Sequence, residues 1–451
     1  MLGIEITTID ADLVAEVILE DSKTIADVKD ALHELKGLSV FEQQLISDTV
    51  VLDDRTVLSC IPRTSDSHLT ITLIVLQKML AVAGSADGVV RLWDVLSKEI
   101  LVEMNTESRN VSGALGEHKV TYISVDWASL RAITLHTNGR CHLWDVACGE
   151  LLHSVDGFPG ALLNVSWDLE RAVIIPVPCE SMHLWDLTTG RLEVSVQHLD
   201  ATCLTVNWSS YLCLVGTASG TLYKIHFETG EISQELSQHT GPVTCLHADW
   251  MEGLALSGSR DGNLCLWKML SGDSCTLSGH SGEVCILSVD WQSCRAMSGC
   301  RDSDIILWDL KAYCQIVTFR GDGYRQGVWG LDVDWSLGRL ITGSKQGSLK
   351  LLDFSEFSRA RQHHEQVEVI KIDDIAALLP AQCVHQRSVL HMALEWTLGY
   401  GISGSRDGSM CLWRLRWFGD QNCLAACHLL QLPGRLRRLD RLSPDLTFFV
   451  A

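Results

Sequence analysis

The chain has 451 residues, of which 46% are hydrophobic and 20% charged, and its formal net charge is −20 at pH 7. That length exceeds one ordinary core, so several domains or a repeat array are expected. The acidic balance argues against a general binder of nucleic acid or anionic membrane. No apolar run is long enough to span a bilayer, and no secretory leader is expected. Seventeen cysteines are present, sitting singly in apolar strand patterns, as at Cys245, Cys265 and Cys411, without the paired spacing of zinc sites. They read as small buried thiols in a reducing compartment, cytoplasmic or nuclear.

Taken in order, residues 1–77 form the first part. Two alternating runs, LGIEITTI and LVAEVILE, flank the turn Asp10-Ala11-Asp12 and predict paired strands. Ile25, Val28, Leu32 and Leu35 fall at helical spacing, with Lys36-Gly37 as a stop. The stretches 43–46 and 49–52 read as short strands, and LTITLIVL as a long β-branched one. Fourteen acidic residues face five basic ones here. Only Gln77-Lys78 separate this part from the next, too short for a flexible tether.

From residue 78 onward one pattern recurs. The stretch 257–267, SGSRDGNLCLW, returns at 403–413, 298–308 and 83–93; looser copies end at Trp144 and Trp185, and two that have lost the tryptophan end at Ile225 and Leu352. Most steps are close to 41 residues, a period that marks a unit unable to bury its apolar face alone. Each copy holds a short apolar run, a tight turn and an alternating strand, with Asp-Gly as the hairpin signal. A second marker ends a further strand at Trp127, Trp167, Trp208, Trp250, Trp291, Trp335 and Trp396. A third, His, precedes it at His239, His280 and His385, with His118 and His198 slightly closer.

Two insertions, 98–117 and 354–380, break the period. The second predicts an extra strand or a short helix on a loop suited to binding. Its His363-His364 pair reads as solvated, without a metal. At the C-terminal side Leu439-Asp440-Arg441 aligns with the Trp marker and 446–450 reads as a strand. This segment is predicted to complete the first unit and close the array, removing exposed edges.

The repeats resemble the WD-repeat family, whose members are β-propellers. The fold class expected is mostly β: a β-propeller over 78–451, closed by the C-terminal segment, with eight blades favoured and seven the alternative. The resemblance implies a buried hydrogen-bonded set in each full repeat: His239, Ser257, Asp261 and Trp267; His280, Ser298, Asp302 and Trp308; His385, Ser403, Asp407 and Trp413. Ser, His and Asp also make a catalytic triad, but a triad needs one nucleophile in a cleft. Here the set repeats beside a core Trp, so the reading is structural. No GxGxxG opens a helix, and no Walker-type, HExxH or GxSxG pattern occurs. The expectation is no enzyme, no catalytic residue, no metal and no cofactor.

In residues 1–77 the stretches SKTIADVKDAL, GLSVFEQQLI and VLDDRTVL resemble the ubiquitin family, implying a small α+β domain of β-grasp type. No terminal Gly-Gly follows, so it is not expected to be a conjugated modifier. Ile46 matches the centre of that family's apolar recognition patch, while the last strand offers Thr70 and Thr72.

In the propeller family the turn before the third strand opens on one face. The residues there are Arg260, Arg301 and Arg406, with Lys345 in a degenerate unit, and they would either meet an acidic or phosphorylated segment of a partner or simply be solvated. The expected function is a protein-interaction scaffold or adaptor, the propeller holding one partner and the ubiquitin-like domain another, as a monomer within a larger complex. One alternative is a substrate receptor or shuttle that meets ubiquitin or the proteasome, although no WDxR motif occurs. Another is a ribosome-assembly factor of the kind joining a ubiquitin-like domain to a propeller.

Overall fold

The structure is a computed structural model describing residues 2–8, 13–36, 40, 43–47, 50–62, 68–75, 80–84, 88–94, 97, 99–105, 119–177, 181–197, 200–302, 304–320, 327–355, 357, 368–371, 385–395, 400–405, 410–414, 430–431 and 448–450. His118, His198, His363, His364, Trp396, Arg406, Asp407 and the 439–441 marker lie outside the described residues, as does the side chain of Trp413. The chain divides into two compact units, 1–80 with 94–97 and 81–93 with 98–451. Residues 94–97 of the first repeat thus group with the smaller unit.

The smaller unit is a five-stranded sheet in the spatial order Leu13–Leu19, Leu2–Thr7, His68–Val75, Gln43–Ser47, Val50–Val51. Leu2–Thr7 pairs antiparallel with Leu13–Leu19 and parallel with His68–Val75. Helix Ile25–Lys36 buries Ile25, Val28 and Leu32 among Ile4, Ile6, Leu45 and Ile71. Its start is fixed by Asp27, whose carboxylate accepts from the backbone N–H and the hydroxyl of Thr24 at 2.7 and 2.8 Å. Those bonds hold the Asp27 pKa below its usual value and satisfy a donor that the first helical turn leaves open.

The larger unit holds eight sheets among the described residues. We letter them A to H by the order of their second strands. Sheet A joins Phe448–Val450 to Leu80–Gly84, Val90–Asp94 and Glu99–Met104. Sheets B (120–155), C (162–197), D (201–237), E (243–278), F (284–320), G (328–353) and H (389–431) are antiparallel meanders. Each consists of four consecutive strands except G, with three described, and F, with a fifth. That fifth strand is Glu368–Lys371, from the second insertion, lying parallel to Cys314–Arg320. The insertion, expected to add a strand or a helix, therefore extends a sheet that precedes it in sequence.

The core lies between sheets rather than within one. Leu256, Leu264 and Leu277 of E pack with Val284, Ala296, Ile306 and Trp308 of F in a single cluster. The first strands of successive sheets lie side by side from C through H, and that of H lies beside Phe448–Val450, which in turn borders the first strand of B. The repeated glycine of the second strand explains the close spacing. A Cβ on Gly258 would meet Val284 Cγ1 at 2.7 Å, and one on Gly84, Gly216 or Gly343 would meet Val120, Val243 or Val389 at 2.5, 2.8 and 2.7 Å. Only a residue without a side chain admits the valine of the next sheet.

Candidate functional site

Two kinds of polar constellation stand out, one buried and repeated, one exposed. In sheet E the second strand, Leu254–Ser259, pairs with Asn263–Lys268 so that Ala255 opposes Trp267 and Ser257 opposes Cys265. The Trp267 indole N–H donates to Ser257 Oγ at 2.8 Å. The same oxygen lies 2.8 Å from His239 Nε2, and His239 Nδ1 lies 3.2 Å from Asp261 Oδ2. A carboxylate can only accept, so Nδ1 carries the proton and Nε2 receives the Ser257 hydroxyl. Burial drives the His239 pKa down, against the pull of Asp261. Burial works to raise the Asp261 pKa, but N–H donation from Asn263 and Thr240 outweighs it and holds the group below its usual value. The connectivity is that of a triad, yet Ser257 has no exposure and its oxygen is occupied by Trp267. A reacting carbonyl has no approach to it.

Sheet F repeats the arrangement with one link missing. His280 Nε2 and the Trp308 N–H meet Ser298 Oγ at 2.6 and 2.7 Å, while buried His280 Nδ1 has no partner. Asp302 is exposed and accepts from Ser281 Oγ instead. Burial takes the His280 pKa down to about 4. In sheet H, His385 Nε2 lies 2.8 Å from Ser403 Oγ; Asp407 and the Trp413 side chain are outside the described residues. Sheet B reaches the same end by another residue: Thr134 Oγ1 accepts from Trp144 at 2.9 Å, and His136, two residues along the same strand, lies 3.1 Å away. The sequence pattern did not point to His136, because the marker histidine there was His118. Sheets A and C place Ala83 and Ile174 opposite the third strand where E has Ser257, and buried Trp93 and Trp185 have no partner for their indole N–H. Sheet D has Val215 and Ile225 in place of the Ser and Trp, an apolar exchange that leaves nothing unsatisfied.

The exposed constellation lies at the turns that follow the second strands. The backbone N–H groups of Arg260 and Arg301 donate to Pro242 and Glu283 carbonyls, which seats both turns alike. Their guanidinium groups converge on one carboxylate, Glu283 Oε2, at 3.9 Å from Arg260 and 2.8 Å from Arg301. The Arg301 guanidinium also stands 5.9 Å over the Trp329 ring. Lys345 is exposed at the equivalent turn of sheet G, its carbonyl accepting from Ser388 Oγ at 3.0 Å. The two guanidinium groups share this one carboxylate, while Asp261 and Asp302 follow them in the same turns. In the smaller unit, Ile46 is half-buried and opposes Thr72 on one side and exposed Val51 on the other.

Among the described residues no three His, Cys, Asp or Glu groups gather to hold a metal ion, and no described helix is long and apolar enough to cross a membrane. Burial pushes the thiols of Cys141, Cys213 and Cys265 up to about 12, which makes them inert nucleophiles.

Comparison with known proteins agrees with this geometry. Residues 230–268 and 273–309 match the family described as WD domain, G-beta repeat. No curated protein matches the sequence. Among solved structures, the C-terminal WD40 domain of Sif2 superposes with a TM-score of 0.61 at 15% identity, over 76% of this chain and 94% of that one. The computationally designed Ika8 protein superposes with a TM-score of 0.58 at 20% identity, over 76% and 95%. At such identities the likeness is one of fold. Together with the sheet-by-sheet geometry, it supports a β-propeller fold for the larger unit, with WD repeats matched at 230–268 and 273–309.

Proposed function

We propose that this chain is a protein-interaction scaffold without chemistry of its own. The observation that carries the reading is the pair of guanidinium groups of Arg260 and Arg301, 63% and 50% exposed, brought together at Glu283. Guanidinium pairs of this kind recognise carboxylate or phosphate groups bidentately. The occupant is an acidic or phosphorylated segment of a partner, with Lys345 on the neighbouring turn extending the charge. Support for a non-enzymatic role comes from the burial of every described Ser of the triad-like sets. An eight-bladed ring is the architecture we favour, supported by the eight sheets and by the pairing of Phe448↔Ala83 that joins the two ends of the unit.

We further propose that residues 1–77 are a ubiquitin-like domain acting as a second docking module. Its strand order and single packed helix support this, and Ile46 beside exposed Val51 favours a place in ubiquitin handling over ribosome assembly. The test compares partners of the full chain, identified by mass spectrometry, with those of Arg260→Glu/Arg301→Glu and of Ile46→Arg. Loss of distinct partner sets with the two variants is expected. An unchanged set in both would overturn the scaffold reading at these positions.

A further inference from the structure

On the ends of the strands away from the arginine rim, sheets E and F enclose an open groove of about 390 Å³. Its floor is Leu254, Leu266, Leu310 and Trp291, and Lys268 and Lys311 stand at its edge with Tyr313. This seam is built differently from those of sheets B, C, F and G. Sheets D and H, like E, begin the second strand without the arginine, with Leu212 opposite His226 and Tyr400 opposite Arg414. In sheets B, C, F and G the second strand begins with arginine directly opposite an aspartate: Arg131↔Asp145, Arg171↔Asp186, Arg295↔Asp309 and Arg339↔Asp353. Three of these arginines also reach into the next sheet or beyond it. Arg131 bonds Glu170 at 2.9 Å and lies 5.9 Å over Trp167, Arg171 bonds Glu228 at 2.8 Å, and Arg295 donates to the Phe357 carbonyl at 3.1 Å.

Sheet E has Leu254 opposite Lys268 in that place. Cys294 occupies the turn position of Glu170, sharing its left-handed backbone at φ 54° against 52°. Lys311 follows its strand where Glu228 follows its own. The Arg–Glu tie is therefore absent, the Trp291 face that an arginine would cover is open, and the charge at the rim is inverted. Neither Lys268 nor Lys311 has a carboxylate within salt-bridge reach among the described residues, and Asp273, the one acid lining the groove, accepts from Ser271 Oγ. Tyr313 adds a third departure. It holds φ 56° at the turn position that is Gly149, Gly190, Gly230 and Gly272 in sheets B to E, so a ring is kept at the rim in a conformation suited to glycine. Beside the groove Leu270 is 87% exposed.

From this combination we infer that the E–F groove is a docking site for a linear acidic segment of a partner protein. One large apolar side chain of the segment would enter over Trp291, and flanking Asp or Glu would meet Lys268 and Lys311. Charge complementarity selects this occupant: cations beside an apolar floor, on a chain of net charge −20, mark a local exception. The volume lies within the ~300–1,000 Å³ of built binding pockets. The site is separate from the arginine rim, so either can fail without the other.

The probe is a displayed library of random twelve-residue peptides, selected on the full chain. Enriched sequences are expected to place Asp or Glu beside Leu, Ile, Phe or Trp. Their affinity should drop at least tenfold on Lys268→Glu/Lys311→Glu, whose altered side chains are both on the surface, and on Leu254→Arg/Cys294→Glu, which rebuilds the tie and fills the groove. Arg260→Glu/Arg301→Glu should leave it unchanged. Peptides that bind Lys268→Glu/Lys311→Glu as well as the parent, or that are lost only with the arginine variant, overturn the assignment; so does enrichment of basic peptides or of none.

Discussion

Replacing Ser257 by alanine isolates the contribution of the buried polar set. The substitution removes one oxygen that serves two groups, the Trp267 N–H at 2.8 Å and His239 Nε2 at 2.8 Å. Trp267 is 1% exposed and His239 8%, so water does not replace the lost partner. Leaving each buried polar group unmet costs about 1–3 kcal/mol, hence about 2–6 kcal/mol together. The larger unit has roughly 370 residues, and at ~2.1 cal/mol/K per residue its unfolding entropy is about 0.8 kcal/mol/K. The melting temperature should therefore fall by about 3–8 °C, read by calorimetry at pH 7.5. Sheet A supplies the opposite experiment. Ala83→Ser places a hydroxyl where the Trp93 N–H is unmet and should add about 1 kcal/mol, near 1 °C. A Ser257→Ala melt indistinguishable from the parent, or an Ala83→Ser melt below it, would refute the reasoning.

Three further outcomes follow from the geometry. His280 has a folded pKa of about 4 because burial disfavours its charge, against ~6.5 unfolded. The unfolded state then binds the extra proton first, so stability is fully present above pH ~6.5 and is lost as pH falls toward 4, by up to roughly 3 kcal/mol; a His280→Gln variant should show a flatter melting curve against pH across that window. Gly258→Ala drives a methyl to 2.7 Å from both Cys245 Sγ and Val284 Cγ1 and should cost about 1–3 kcal/mol by overpacking, visible as faster hydrogen exchange in both sheets E and F. Tyr313→Gly relieves the left-handed backbone at φ 56°, worth about 1–2 kcal/mol, so it should melt no lower than the parent while losing affinity for peptides that enter the E–F groove.

Much of the propeller was legible because one local rule is written repeatedly. Turn glycines, the small residue beside the next sheet's valine and the Ser–Trp pair recur in most copies, so the period survives loss of individual members. Ile225 and Leu352 kept their places without a tryptophan for that reason. Other features were illegible because they depend on contacts far apart in sequence. His136 takes a role near Thr134 that spacing assigned elsewhere, since either of two residues can bring an imidazole to one hydroxyl. The parallel pairing of Glu368–Lys371 with Cys314–Arg320 joins a loop to a sheet completed before it. The E–F groove emerged only from aligning what each seam has lost, as Leu254, Cys294 and Lys311 are unremarkable singly. In the smaller unit, alternation and helical spacing set the elements, but the exposure of Val51 beside Ile46 needed the register.

The pairing of Phe448–Val450 with Leu80–Gly84 has a consequence during synthesis. At ~5–20 residues/s, the partner of that early strand emerges tens of seconds after it. Throughout that interval Leu80–Gly84 presents an apolar edge with nothing native to pair with. Such edges recruit other strands, and long-range closure carries an entropic cost that local pairing does not. Newly made chains should therefore depend on chaperones that shield strand edges, and a stalled or truncated product should be cleared rather than accumulate as a partial ring.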